Sequence, residues 1–440
     1  MKVLEIKDLR LKLLRRSGRE LAGDNPYVIR CGPYEELVIS QPDQIHDFYQ
    51  GDYKRHGKPQ NFNFGELFGR FMGTAVGLRY GEDWRKIRKH FDPPFAFHAV
   101  AQRTPRFQRE IGLWIRELAQ DSKEGVSDVA VGESFRFLVL RLLAVHLYQD
   151  AFDDRLYWQL LELSESHDHV VHALMTCKGH DSKIWSKFPT STRRLLDRFL
   201  NGWKDLNREV IGNAREGKWE CPLEITARGF VESDDMTEEE FLSTLGEILF
   251  ANVDVSASVL STTFRNLAKN TKIQDELRAE ITQCKSDADF DMSKYLTNSK
   301  TLLHRVTMES MRLAPAFWFS MPETTAEDKT IGGFAIPANT TVIIDNQRLN
   351  EGSVTWGSDG DQFRPDRFLE VSPQAQRCGF MRFGTGAASG RCLGKNAADV
   401  VFKLTTIAVV ERFQMETLIH DGNDKAQSKR GVPDVRFIEN

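Results

Sequence analysis

Apolar residues recur at spacings of three and four over most of the chain, as in helices that bury one face. The pattern runs from about 100 to 210 with few breakers. It resumes after Thr237 and Glu240, spaced as a capping box, and holds to about Asn270. Further helices are predicted over about 294–313 and about 395–412, the last apolar enough to be buried. Residues 84–92, WRKIRKHFD, predict a short basic helix that Pro93 and Pro94 stop. Period-two runs are short. NPYVIRCGPYEELVIS at 25–40 predicts a hairpin that turns at Gly32-Pro33. TIGGFAIPANTTVIID at 330–345 predicts strands with turns at Gly332-Gly333 and Pro337. Residues 217–236, with Cys221-Pro222, read as a loop. The predicted fold class is mainly α with small β-sheets near both ends, in a single large domain over 1–440.

Composition narrows the function classes. A net charge of -4 argues against bulk nucleic-acid binding. The six cysteines are scattered and form no C-x-x-C pair, which speaks against a disulfide framework or a zinc ribbon and fits a reducing compartment. No run of eighteen apolar residues occurs. Residues 2–16, KVLEIKDLRLKLLRR, are basic and periodically apolar. They suit a surface helix, or a juxtamembrane segment (1–24) whose anchor lies outside the sequence. His167, His169 and His172 cluster with Asp168, at a spacing that matches no common metal site.

The chemistry concentrates at 382–395, RFGTGAASGRCLGK. Its small residues let a flat partner approach the backbone closely. Cys392 stands at the start of a predicted helix, where backbone N–H groups and the helix dipole favour the thiolate. Such a thiolate can be a nucleophile or a metal ligand. Without a C-x-x-C partner zinc fits poorly, but an axial ligand to haem iron needs only one cysteine. Glu309 and Arg312 are three apart on a predicted helix, hence on one face. Phe363, Arg364, Pro365, Asp366, Arg367 and Phe368 follow, and Trp84 and Arg88 share a face of the basic helix.

In chain order the motifs W-x-x-x-R, E-x-x-R and F-x-P-x-R-F, followed by the cysteine segment, resemble cytochrome P450, the haem-thiolate monooxygenases. The resemblance covers nearly the whole chain. Of the family's F-x-x-G-x-R-x-C-x-G, Phe383, Gly386, Cys392 and Gly394 are present. The loop is two residues longer than that pattern, with Gly390 at the usual arginine position and Arg391 beside it. The resemblance implies the cytochrome P450 fold and a haem b held by Cys392. It implies Trp84, Arg88 and Arg391 near its propionates, and a structural Glu309–Arg312–Arg367 cluster. It also implies NADPH-derived electrons from a separate cytochrome P450 reductase or another donor, with Arg85, Lys86, Lys89 and Lys395 as a docking face. If an anchor precedes the sequence, the expected location is the cytosolic face of the endoplasmic reticulum membrane, with peripheral membrane contact; otherwise it is the cytoplasm.

The helix motif A/G-G-x-D/E-T-T/S is only partly kept. The segment reads Ala251, Asn252, Val253, Asp254, Val255, Ser256, with valine at the threonine position. Asp254 is expected to relay protons, helped by Asn252 or Ser256; the alternative is an ion pair between helices. Phe62, Phe64, Phe68, Phe71, Val255, Phe317 and Phe319 are expected to line a substrate pocket, with core packing as the alternative for the rings. The implied function is oxygen insertion into, or oxidative coupling of, a hydrophobic natural product in fungal-style secondary metabolism. Two readings stand beside it: a reductant-independent hydroperoxide isomerase or dehydratase, because the threonine is missing, and a non-catalytic haem sensor.

Overall fold

The computed structural model describes residues 1–5, 18–31, 33–120, 122–176, 185–233, 235–384, 391–418 and 432–440. Three small sheets edge a helical body. The first has five strands in the order β1-β2-β3-β8-β5: β1 (Lys2–Glu5), β2 (Tyr27–Cys31), β3 (Tyr34–Ile39), β8 (Thr341–Ile344) and β5 (Glu323–Thr324). The second is antiparallel: β4 (Val126–Val129), β10 (Val435–Glu439) and β9 (Phe413–Thr417). The third is the hairpin β6 (Lys329–Ile331) and β7 (Phe334–Ile336).

Among the described residues the α-helices begin with α1 (Pro42–Tyr49), α2 (Glu66–Met72), α3 (Gly81–Phe95), α4 (Phe97–Gln102), α5 (Thr104–Gln120), α6 (Val131–Tyr148) and α7 (Asp154–Thr176). Then come α8 (Ser191–Arg215), α9 (Pro222–Ser233), α10 (Glu238–Lys269), α11 (Thr271–Ser286), α12 (Met292–Thr297) and α13 (Leu302–Leu313). The last four are α14 (Asn346–Gly352), α15 (Arg367–Glu370), α16 (Pro373–Gly379) and α17 (Lys395–Arg412).

Helix α10 is the axis of the molecule. Its start is the predicted capping box: Thr237 Oγ1 accepts from the Glu240 N–H at 3.1 Å, and the Thr237 N–H donates to Glu240 Oε2 at 2.8 Å. Glu238, Glu239 and Glu240 add negative charge where the helix dipole favours it. Leu245, Leu249, Leu260, Phe264 and Leu267 are fully buried on α10, packed with α6, α13 and β9. Helix α17 is buried along most of its length, as its apolar run predicts.

Five local expectations differ from the structure. Lys2–Glu5, expected to be helical, forms a strand parallel to β2; residues 6–17 lie outside the described residues. The basic helix runs Gly81–Phe95, with both prolines in its last turn, and the extended Ala96 ends it. The loop at 217–236 contains α9, which Pro222 opens at the one turn where a missing N–H costs nothing. The helix at 294–313 is two, because Thr301 is extended and caps α13 by accepting from the His304 N–H at 3.1 Å. Of the later strands, β8 joins the sheet of the N-terminal hairpin by parallel pairing of Leu37–Ile39 with Val342–Ile344, while β6 and β7 stay a separate hairpin.

Candidate functional site

A cavity of about 370 Å³ opens between α10, α13, the segment after α13, and the start of α17. Its surface is mostly apolar, from residues such as Leu142, Leu143, Ile248, Val255, Val259 and Met321. Cys392 lies in its wall. The Cys392 N–H donates to the Phe383 carbonyl at 2.9 Å, which fastens the two ends of the cysteine segment together. Phe383 holds a left-handed φ of 54° to make that closure. Gly386 and Gly390 lie outside the described residues. Burial pushes the Cys392 thiol up, while N–H groups of Gly394 and Lys395 and the Arg88 charge act against the rise. The sulfur is thus screened from water but met by positive partial charge at a helix start.

Arg88 ties α3 to this loop. Its Nη1 donates to the Arg391 carbonyl at 2.7 Å, its Nε pairs with Asp92 at 2.5 Å, and its guanidinium stacks over the Trp84 ring at 4.9 Å. Trp84, Arg88, Arg391, Phe383 and Gly394 all reach the cavity, although the Arg391 residue is largely exposed. A haem fits these residues. A single half-buried thiol supplies the axial donor, apolar walls suit the ring, and a guanidinium stacked on an indole suits a carboxylate.

Behind the loop, Glu309, Arg312 and Arg367 are brought together. Arg312 donates to Glu309 through Nε (2.8 Å) and Nη2 (2.7 Å), and Arg367 Nε donates to Glu309 Oε1 at 3.0 Å. The remaining guanidinium N–H groups find backbone carbonyls, among them Asn350 (2.6 Å) and Asp359 (2.8 Å). This cluster is fully buried and fixes the chain leading to the cysteine segment.

On α10, Asn252, Val255 and Ser256 line the cavity, four and three apart as a helix face requires. The Asn252 amide is turned back onto its own helix, donating to the Ile248 carbonyl at 2.9 Å. Asp254 is not where the relay expectation puts it. It stands on the outside of α10, largely exposed, in an ion pair with Arg136 of α6, which also holds Asp168 at 2.7 Å. Of the expected pocket rings, Phe317 reaches the cavity. Phe62, Phe64, Phe68, Phe71 and Phe319 do not. Phe64, Phe68 and Phe71 meet in series as tilted ring pairs and carry α2 onto Phe199 of α8, while Phe62 is buried under Lys58. Phe319 packs on the five-stranded sheet. His167 stacks on Phe250, and no group of three metal-ligating residues occurs among the described residues.

The family profile described as cytochrome P450 matches residues 22–433. The chain belongs to the cytochrome P450 family. It is similar to the cytochrome P450 monooxygenase opdB of Penicillium oxalicum, 54% identical over 98% of this chain and 86% of that protein. It is 42% identical to apdB of Emericella nidulans, over 93% of this chain and 83% of that protein. It is 38% identical to lepD of Aspergillus flavus, over 92% and 80%. Both are also cytochrome P450 monooxygenases. This P450 is therefore a haem-thiolate monooxygenase of the fungal secondary-metabolite kind, served by a redox partner that passes on electrons from NADPH.

Sequence reasoning missed the polar end of the cavity. Tyr49, Lys58, Glu247 and Glu323 line it, from α1, the segment after α1, α10 and β5. The Lys58 ammonium donates to the Gly77 carbonyl at 2.5 Å, and the Gly77 N–H donates to Glu247 Oε2 at 2.9 Å. Tyr49 donates to Glu323 Oε1 at 3.0 Å. Burial pulls Lys58 down to about 8 against the pull of Glu247 and Glu323, and burial pushes the Glu247 carboxyl up. His146, against Phe95 and Phe107, also lines the cavity; burial, aided by Arg103, pulls it down to about 3. No sequence motif marks these residues. The one available signal was Glu247, a carboxylate within an otherwise apolar stretch of α10.

Proposed function

We propose that this P450 oxidises a lipophilic small molecule in the cavity, with Cys392 as axial ligand of the haem iron and Trp84 and Arg88 receiving a haem carboxylate. The observation that carries this is the Cys392 thiol, half-buried in a mostly apolar cavity wall with the N–H groups of Gly394 and Lys395 beside its sulfur. When bound, the haem supplies dioxygen activation and transfer of one oxygen atom to the substrate.

The chain's own residues do the rest. The N–H groups of Gly394 and Lys395 favour negative charge on the Cys392 sulfur against the opposing effect of burial. Phe383 closes the loop over it, and Arg88, braced by Asp92 and the Arg391 carbonyl, offers a fixed cation to an anionic group. Val255, Ile248 and Val259 exclude water and orient an apolar substrate, and Phe317 stands at the exposed side. Glu309, Arg312 and Arg367 keep the loop in register. One catalytic domain over 1–440 and a place at the cytosolic face of the endoplasmic reticulum, beside the reductase, complete the proposal. No helix among the described residues is long and apolar enough to cross a membrane.

The test is a screen of lipophilic metabolites for shifts of the haem absorption. Hits are then incubated with NADPH, a fungal cytochrome P450 reductase and isotope-labelled dioxygen. A product carrying one labelled oxygen, formed only with NADPH, is expected. No NADPH-dependent product, or turnover of a fatty-acid hydroperoxide without any reductant, would overturn the reading.

A further inference from the structure

Oxygen insertion consumes one dioxygen, two electrons and two protons: one oxygen atom enters the substrate and the other leaves as water. NADPH and the reductase supply the electrons, and the protons come from solvent through the protein. Neither a helix threonine nor Asp254 lines the cavity. The threonine position is Val255, and Asp254 faces Arg136 on the outer surface.

The structure puts another carboxylate at the cavity. Glu247 and Asp254 are seven residues apart, so they lie on nearly one stripe of α10. At the level of Asp254 that stripe meets Arg136; at the level of Glu247 it meets the cavity and Gly77. Glu247 is close enough to Cys392 for the two charges to interact. Carboxylate and sulfur therefore face one enclosed space. Gly77 is shaped for this contact: a Cβ there would overlap the Glu247 carboxyl. The two peptide groups that flank Gly77 serve the two side chains: its carbonyl accepts from Lys58 and its N–H donates to Glu247, which places both at one residue. The other polar groups at this end are Glu323, held by Tyr49 and His56, and Arg88.

We propose that Glu247 is the acid that delivers solvent protons into the cavity during oxygen reduction, and that Lys58 is its positioning and reloading partner. The inference rests on the monooxygenase reading above. In each step a proton leaves Glu247 Oε for the cavity and the carboxylate is reprotonated from the Lys58 side. No bond to carbon changes and no further reductant is needed. Both groups lie closer to neutrality than free side chains, as repeated transfer requires.

The test uses the full haem-loaded chain with NADPH and reductase, and compares wild type with E247Q, E247D, K58M and D254N at equal haem content. No substrate is required, because the readout is the share of consumed dioxygen released as hydrogen peroxide rather than water. E247Q is expected to raise the peroxide-to-water ratio about tenfold, below the full general-acid effect because cavity water substitutes in part. E247D should recover most of the wild-type ratio, K58M should fall between, and D254N should match wild type. A second readout needs no haem: the infrared C=O band of a protonated carboxyl lost in E247Q should titrate above the ordinary glutamate range. A wild-type ratio in loaded E247Q, an effect in D254N instead, or an ordinary titration of that band would overturn the proposal. Should wild type oxidise no NADPH at all, the monooxygenase reading itself fails, and the infrared titration still decides the placement of Glu247.

Discussion

Two buried ion clusters flank the haem-binding end of this P450, and they are built on opposite terms. Around Glu309, both carboxylate oxygens and the N–H groups of Arg312 and Arg367 are matched by direct partners at 2.6–3.3 Å, with no solvent contact. Around Glu247, the backbone of Gly77 stands between carboxylate and ammonium, and both side chains keep a face to the cavity. The first arrangement spends charge on holding the chain in place. The second leaves Lys58 and Glu247 displaced towards neutrality, which is the condition for chemistry.

The strongest way to break this contrast is R312M. Removing one side of a buried ion pair costs about 3–5 kcal/mol, and Glu309 would keep only Arg367 of its two arginines. Denaturant unfolding should show that loss, together with poor haem retention, whereas E247Q should lose far less stability than R312M. The next test uses pH. The folded-state value of Lys58 lies below its unfolded value, so the unfolded chain holds more protons between about pH 8 and 10.5. Over that window wild type should gain about 3 kcal/mol of stability relative to K58M, read from unfolding midpoints.

His146 sharpens the comparison, since its buried ring nitrogens have no hydrogen-bond partner and it is depressed to about 3. Again the unfolded chain binds the extra proton, so stability is kept above pH 6.5 and lost as pH falls. At pH 5 the loss should be about 2 kcal/mol, and H146F should abolish it in the same unfolding assay. The smallest effect belongs to D254N. An exposed pair with Arg136 is worth at most about 1 kcal/mol, so its unfolding midpoint should barely move.

What was legible in the sequence follows the same division. Glu309 with Arg312, and Thr237 with Glu240, are three apart within one helix, and spacing alone puts each pair in contact. Cys392 was legible because its small-residue loop and the helix after it are consecutive. The Thr301 cap and Pro222 were signals that a stricter reading of helix starts would have used. The direction of Asp254 was not legible, because the neighbour of an α10 side chain changes along the helix from Gly77 to Arg136. Nor was the aromatic run from Phe62 to Phe71, whose rings pack on α8 and beneath Lys58 instead of on a ligand. The polar end of the cavity draws Tyr49, Lys58, Glu247 and Glu323 from four separate segments, and only tertiary packing assembles them.

The central claim is that the Cys392 sulfur holds the haem iron as a thiolate. The most direct test is the absorption of the dithionite-reduced, carbon monoxide-treated protein. The account predicts the strongly red-shifted Soret band that gives the family its name, lost in C392A. A band at the position typical of histidine-ligated haem in wild type, or an unchanged band in C392A, would contradict it.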